Sequence, residues 1–430
     1  PPGAPARRPG RVPSARRGWR SWLAPVAAAV AVLAIAITLV AVRDIPSAPN
    51  RRAAPSVSPA GAAVSIPQYY VTFSQPRDDT TKPVALVLGD TLTGKTLFTL
   101  QPPRGLSFAG ITGAADDRTF VADAHRDPYG VRGSAGRSRT WYLVRVTGTG
   151  SRIALTMTRL PIPPTPVGTD IVAIALSPDG TKLAVASEPV SDNIDVPQLL
   201  RVYSVATGAV LRSWSSAPGL LPPIEGGGGA GGDDNASVAW VGDHALTYYG
   251  ITQQAPRKFT GGVWVLELSH PDGRIIASSR LAVQVPTQGY TARPPFGCNL
   301  LFRGDVVVTG DGNLFVCGGS GASSVKLPRL YCLEKPAWNT VAYAGFSLTT
   351  GKLTRFLSGY RTGCSGYNVT GYALWANYSG SVVIGYMLFG DASSGRFGAF
   401  SDGAFRPLPY PVPGNSYQYF NGSLLYQVAW

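Results

Sequence analysis

Two kinds of hairpin signal alternate along the chain from Tyr69 onward. The first is a Thr-Gly turn between short apolar runs: GDTLTGKTLFTL (89–100), YSVATGAVLRSW (203–214) and FSLTTGKLTRFL (346–357). Looser copies are VRVTGTGSRIALT, VLELSHPDGRIIASS and GAFSDGAFRPL, which place the turn glycines at Gly94, Gly150, Gly208, Gly273, Gly351 and Gly403. Glycine suits such turns because it accepts a positive φ that most residues resist. The second kind falls between these positions: AADDRTFVADA around Asp117, LSPDGTKLAVA around Asp179, WVGDHALTYYG around Asp243, TGDGNLFVCGG around Asp311 and NYSGSVVIGYML around Gly380. Two alternating hairpins make a four-stranded antiparallel unit, and the unit recurs.

A lone four-stranded sheet leaves both faces open, whereas sheets stacked around an axis bury both. The pattern therefore predicts an all-β fold, a β-propeller of six four-stranded blades with seven as the alternative count. The segment LLYQVAW (424–430) is expected to close the ring as the innermost strand of the blade that begins with YYVTF (69–73). A pair of β-sandwiches also has many short strands, but it does not account for the alternation of hairpin types. The 51 glycines and 37 prolines, about a fifth of the chain, agree with many turns and few long helices.

The run VAIALSPDGTKLAVAS (172–187) resembles the WD40-like, TolB-type propeller repeat, in which an inner strand, an SPDG turn and a second strand recur in each blade. The wider arrangement, an arginine-rich arm (1–21), the uncharged run SWLAPVAAAVAVLAIAITLVAV, a Pro/Ala/Ser stretch and then such repeats, resembles a group of actinobacterial membrane-anchored propeller proteins. That resemblance covers roughly residues 66–430 and implies an interaction role. Within the repeat, Ser177, Pro178, Asp179 and Gly180 are read as structural. Proline presets φ, aspartate hydrogen-bonds local N–H groups and glycine takes the positive φ.

The net charge of +14 is concentrated at one end. Residues 1–65 hold nine arginines against Asp44, a balance of +8, leaving +6 over 365 residues. No Lys/Arg stripe suited to phosphates stands out in the remainder, which argues against nucleic-acid binding. Between Arg20 and Arg43 lie 22 residues without a charge, SWLAPVAAAVAVLAIAITLVAV, long enough to cross a bilayer once. Six arginines precede it, so the positive-inside bias holds the amino-terminal side in the cytoplasm and sends the bulk outward. A cleaved signal peptide is the alternative, and both export the domain. The expected plan is a basic arm (1–21), a transmembrane helix (22–42), a Pro/Ala/Ser-rich stalk (43–67) and the propeller (68–430). The expected partners are the lipid bilayer, through residues 22–42, and a protein or envelope component, with the propeller itself a monomer.

Few residues point to chemistry. Three histidines, His125, His244 and His270, sit beside turn-type residues and are read as loop residues. The run IEGGGGAGGDDNAS (224–237) lacks the G-K-[S/T] ending of a phosphate loop. Cys298, Cys317, Cys332 and Cys364 show no C-x-x-C spacing, and in an exported domain they read as two structural disulfides. No cofactor is expected and no catalytic residue is assigned.

Three functions remain. The preferred one is a non-enzymatic module binding a protein, peptide or envelope polymer. The second is a lactonase-like hydrolase holding a metal on inner-strand carboxylates, for which Asp116, Asp179, Asp243 and Asp311 are the candidates because they recur in equivalent turns. The third is a structural envelope scaffold.

Overall fold

A computed structural model describes residues 66–74, 83–126, 137–190, 197–216, 238–255, 258–285, 287–288, 291–292, 307–308, 314–320, 340–361, 369–377, 381–389, 394–401, 404–409 and 428–430. All of them belong to one compact unit, Gly61–Trp430. The expected arm, span and nearly all of the stalk lie outside the described residues. Among the described residues no helix is long and apolar enough to cross a membrane.

The first sheet holds β1 (Tyr69–Ser74), β2 (Ala85–Asp90) and β3 (Thr96–Leu100). The second holds β4 (Leu106–Gly113), β5 (Thr119–Arg126), β6 (Arg139–Thr147) and β7 (Ala154–Arg159). The third is built from β8 (Thr169–Leu176), β9 (Lys182–Pro189), β10 (Leu199–Ser204) and β11 (Val210–Ser215). The fourth combines β12 (Val238–Val241), β13 (Ala245–Ala255), β14 (Lys258–Glu267) and β16 (Ser279–Val285), while β15 (Gly273–Arg274) leaves it to join the third. A two-stranded ribbon follows, β17 (Thr287–Gln288) with β18 (Thr291–Ala292). The fifth sheet is β19 (Val307–Val308), β20 (Leu314–Ser320), β21 (Thr340–Ser347) and β22 (Leu353–Arg361). The last is β23 (Val369–Ala376), β24 (Val382–Phe389), β25 (Ser394–Ser401) and β26 (Ala404–Pro407).

Within each sheet the strands lie in chain order and, apart from β15 on β11, pair antiparallel, as alternating hairpins demand. The Thr-Gly turns take the predicted backbone, with φ of 66° at Gly94, 69° at Gly208 and 68° at Gly351. The side chains then decide how sheets assemble, because successive residues of a strand face opposite ways. In β5, Phe120, Ala122 and Ala124 enter a core shared with the first sheet, together with Val71, Phe73, Leu86 and Leu88. Val121 enters the core shared with the third sheet, beside Trp141, Leu176 and Leu183. The third sheet packs likewise on the fourth through Leu200, Val202, Trp214, Trp240, Tyr248 and Leu266. The last sheet packs on the first through Ile384, Phe397, Ala399, Tyr70 and Trp430. A sheet whose two faces feed two different cores is a propeller blade, and this arrangement excludes a pair of sandwiches.

The expectation of uniform four-stranded blades is corrected, because the strand count varies from sheet to sheet. Among the described residues five sheets have three or four strands, and the third reaches five because β15 adds in parallel to β11, pairing Trp214 with Gly273 and Ser215 with Arg274. The outer edge of that sheet is thereby covered by the fourth, where Ile275 is fully buried. At the ring seam, Ala429 bridges Val71 through two reciprocal backbone hydrogen bonds of 2.9 Å. The chain's last described segment thus lies where the first sheet needs its innermost strand.

Candidate functional site

Antiparallel strands divide the ring into two ends. The hairpins joining first and second strands gather at one end. The other end is where β5 finishes and β6 begins.

At the first end the recurring aspartates hold their own turns. Asp116 Oδ1 accepts from the backbone N–H groups of Arg118 (3.0 Å) and Thr119 (2.8 Å), and its Oδ2 accepts from Thr119 Oγ1 at 2.7 Å. Asp179 Oδ1 accepts from Ser177 Oγ at 2.5 Å and from the Thr181 N–H at 2.9 Å, while Oδ2 accepts from Thr181 Oγ1 at 2.7 Å. Ser177 Oγ in turn accepts from the Lys182 N–H, and Gly180 supplies φ of 71°. Partial burial opposes the Asp179 charge, but the bonds from Ser177 and Thr181, helped by Lys182, outweigh it and hold the carboxyl below its ordinary range.

These turns also join one blade to the next. The Ala115 N–H donates to Pro178 O at 3.0 Å, and the Asp179 N–H donates to Asp243 Oδ1 at 3.3 Å. Asp117, the one described non-glycine residue with a positive φ (50°), accepts from the Gln68 N–H at 2.7 Å at the entry to β1. Burial raises the Asp117 carboxyl, against the pull of the Gln68 and Tyr69 N–H groups and of Arg118. Of the carboxylates offered as metal ligands, Asp116, Asp179 and Asp243 therefore sit in successive turns, each facing backbone donors. Among the described residues no group of three His, Cys, Asp or Glu side chains could hold a metal ion. Asp311 lies outside the described residues, as do Cys298, Cys332 and Cys364, and Cys317 falls in β20.

Sequence reasoning missed the second end. Asp123 in β5 is 1% exposed and its Oδ2 accepts from Arg139 Nη1 at 2.7 Å, a buried pair at the face turned to the third sheet. Gly110 of β4 makes room for it, since a Cβ there would stand 2.7 Å from Asp123 Oδ1. Arg139 Nη2 lies 3.8 Å from Asp170 Oδ1 in β8, so the guanidinium links two blades. Asp170 is the register partner of Glu188 in β9, whose Oε2 accepts from Gln198 Nε2 at 2.9 Å. Burial pushes the Glu188 carboxyl up; the Gln198 bond opposes this and the Asp170 charge adds to it. His125, read from sequence as a loop residue, is buried in β5 beside this cluster, because it pairs with Arg139 in the ladder. No local sequence signal pairs Asp170 with Glu188. Leu176 faces Leu183 beside the turn, a register that would set Asp170 opposite Pro189, and the bulge between Ile171 and Ala173 is what brings Asp170 opposite Glu188.

Neither a family model nor a curated protein matches the chain. Solved structures similar in fold are β-propellers of the TolB and WD40 kinds. TolB from Acinetobacter baumannii is 12% identical over 79% of this chain and 66% of its own, with a TM-score of 0.36. The periplasmic gluconolactonase PpgL of Pseudomonas aeruginosa is 15% identical over 81% and 84%, with a TM-score of 0.38. The C-terminal WD40 domain of Sif2 is 11% identical over 77% and 80%, with a TM-score of 0.34. The chain spans about two thirds of TolB and 51% of a putative dipeptidyl aminopeptidase IV from Bacteroides ovatus.

Proposed function

We propose that the chain is a non-enzymatic binding module, a propeller displayed outside a membrane that recognises a protein, peptide or envelope polymer. The observation that carries it is the use made of the recurring carboxylates. Asp116 and Asp179 accept from their own turns, and Asp243 accepts from the neighbouring blade. A lactonase-like metal centre would need such side chains to converge on a cavity with their oxygens available. Display outside the membrane rests on the uncharged 22-residue run between Arg20 and Arg43 and the arginines before it. Export also favours pairing of Cys298, Cys317, Cys332 and Cys364 into two bridges, checked by mass spectrometry of non-reduced peptides.

The test is crosslinking in intact membranes with identification of captured partners, run beside metal analysis and hydrolase assays on the purified chain. Reproducible capture of one partner, with no metal and no turnover, supports the proposal. A stoichiometric metal accompanied by hydrolytic turnover overturns it.

A further inference from the structure

The link from β7 to β8 buries Leu160 and Ile162 in the core and turns its other residues outward. Pro163, Pro164, Pro166 and Val167 are exposed, and Pro189 and Val190 at the end of β9 stand beside them. Val167 is 82% and Val190 52% exposed, high values for large apolar residues in a closed fold. The ledge is rigid. The Thr165 N–H donates to Arg139 O at 3.1 Å, the Val190 N–H donates to Gly168 O at 2.8 Å, and the prolines fix φ. Asp170 and Glu188 lie just inside it, two residues from Gly168 and Val190 along β8 and β9.

Like charges directly opposite in an antiparallel pair work against the sheet, so the pairing of Asp170 with Glu188 is itself unfavourable, offset in part by Arg139 at 3.8 Å from Asp170 and by the Gln198 bond to Glu188. Asp123, Arg139, Asp170 and Glu188 together carry −2 in a chain of net +14. The acidic pair is therefore an exception to the chain's balance, set against an exposed apolar ledge. A cation brought to it would relieve the repulsion, and apolar groups beside that cation would cover the valines.

We infer that this ledge, between the second and third sheets at the end opposite the SPDG turns, docks a segment of a partner protein carrying Lys or Arg flanked by apolar side chains. The inference rests on the binding-module proposal and names its surface. A glycan is the poorer occupant. The six ledge residues have apolar side chains, four of them lack an N–H and that of Val190 is already given to Gly168, so the ledge has few donors for a sugar and no polar side chain to orient one.

The test uses the full chain in detergent against an array of decapeptides with Lys or Arg set among Val and Leu. The same peptides with Glu in place of the basic residue, and a chitosan oligomer, are the comparison probes. Selected basic peptides should bind and their Glu counterparts should not. The double variant Asp170→Asn, Glu188→Gln should weaken binding by about fivefold or more, with reduced salt dependence. Val167→Ser with Val190→Ser should weaken it by about tenfold. Val210→Ser, half exposed on the outer strand β11, should leave it unchanged. Absence of any basic binder, equal binding of Glu peptides, binding indifferent to the ledge variants, or binding of the chitosan oligomer alone overturns the inference. A partner crosslinked elsewhere on the propeller would sink the ledge and leave the binding module standing, whereas metal-dependent turnover would sink both.

Discussion

The β8–β9 hairpin carries carboxylates at both ends, and they live under opposite conditions. At the turn, Asp179 is surrounded by donors from Ser177, Thr181 and Lys182 and its charge is favoured. At the open end, Asp170 and Glu188 face each other, with burial and mutual repulsion pushing the Glu188 proton affinity up. The first arrangement stabilises the fold and leaves its oxygens little to offer a ligand. In the second, Arg139 ties Asp170 to the neighbouring blade but the Asp170–Glu188 pairing works against the sheet, and recognition is assigned to that end.

The strongest way to break this contrast is to remove the buried charge on which the open end is built. Asp123→Ala leaves the Arg139 guanidinium in the second-to-third sheet interface without its 2.7 Å partner. Stranding a buried charge costs about 3–5 kcal/mol, so urea denaturation should show a large fall in midpoint. The double variant Asp123→Leu, Arg139→Met should recover most of that loss. If Asp123→Ala were as stable as wild type, the pair would not be holding the joint.

Asp179→Ala should cost less, about 1–2 kcal/mol, the scale of losing a side-chain cap with several bonds. The loss should be accompanied by faster amide exchange at Thr181 and Lys182, whose N–H groups would lose their acceptor or its support. Ligand binding at the ledge should not change, since the turn lies at the other end of the strands. Weakened peptide binding without local loosening would contradict the division between the two ends.

Turn chemistry was legible because it is local. Thr-Gly and SPDG each set a reversal from within a few residues, so blade order and the alternation of hairpins followed from sequence. The limit shows in two copies of one tripeptide. Pro178-Asp179-Gly180 reverses the chain as expected, with Gly180 at φ of 71°. Pro271-Asp272-Gly273 was expected to do the same, yet Asp272 Oδ1 accepts from the Ser213 N–H at 3.0 Å and Pro271 O accepts from Trp214 Nε1 at 3.1 Å. Gly273 then runs in parallel with Trp214 on the neighbouring sheet. What decided between the two was the unpaired edge of β11, which lies some 60 residues away in sequence. The open-end cluster escaped for a similar reason. Asp123 and Arg139 are separated by 16 residues, and nothing local says that their side chains share a face. The proline and valine ledge reads as a loop until Leu160 and Ile162 are seen buried beneath it.

The smallest expected effect separates the two ends by sign. Glu188→Gln removes one of two opposed like charges and keeps the size of the group, so it should be neutral or stabilising by about 0.5 kcal/mol near neutral pH. Its pH dependence is more telling than its size. Because the folded-state affinity of Glu188 for its proton is raised, the stability tied to that proton is present below the ordinary value of 4.5 and is lost as pH rises through the folded value. Wild type and Glu188→Gln should thus match in acid, and the variant should gain as pH climbs above 4.5. Asp179 runs the other way. Its affinity is lowered, so its contribution is present above 3.8 and disappears as pH falls through the folded value. The gap between wild type and Asp179→Asn should close only in that acid range. Denaturation curves for both variants from about pH 2 to about pH 6.5, some two units beyond each ordinary value, would show the two gaps moving in opposite directions. Parallel movement would mean that one electrostatic environment governs both ends of the hairpin.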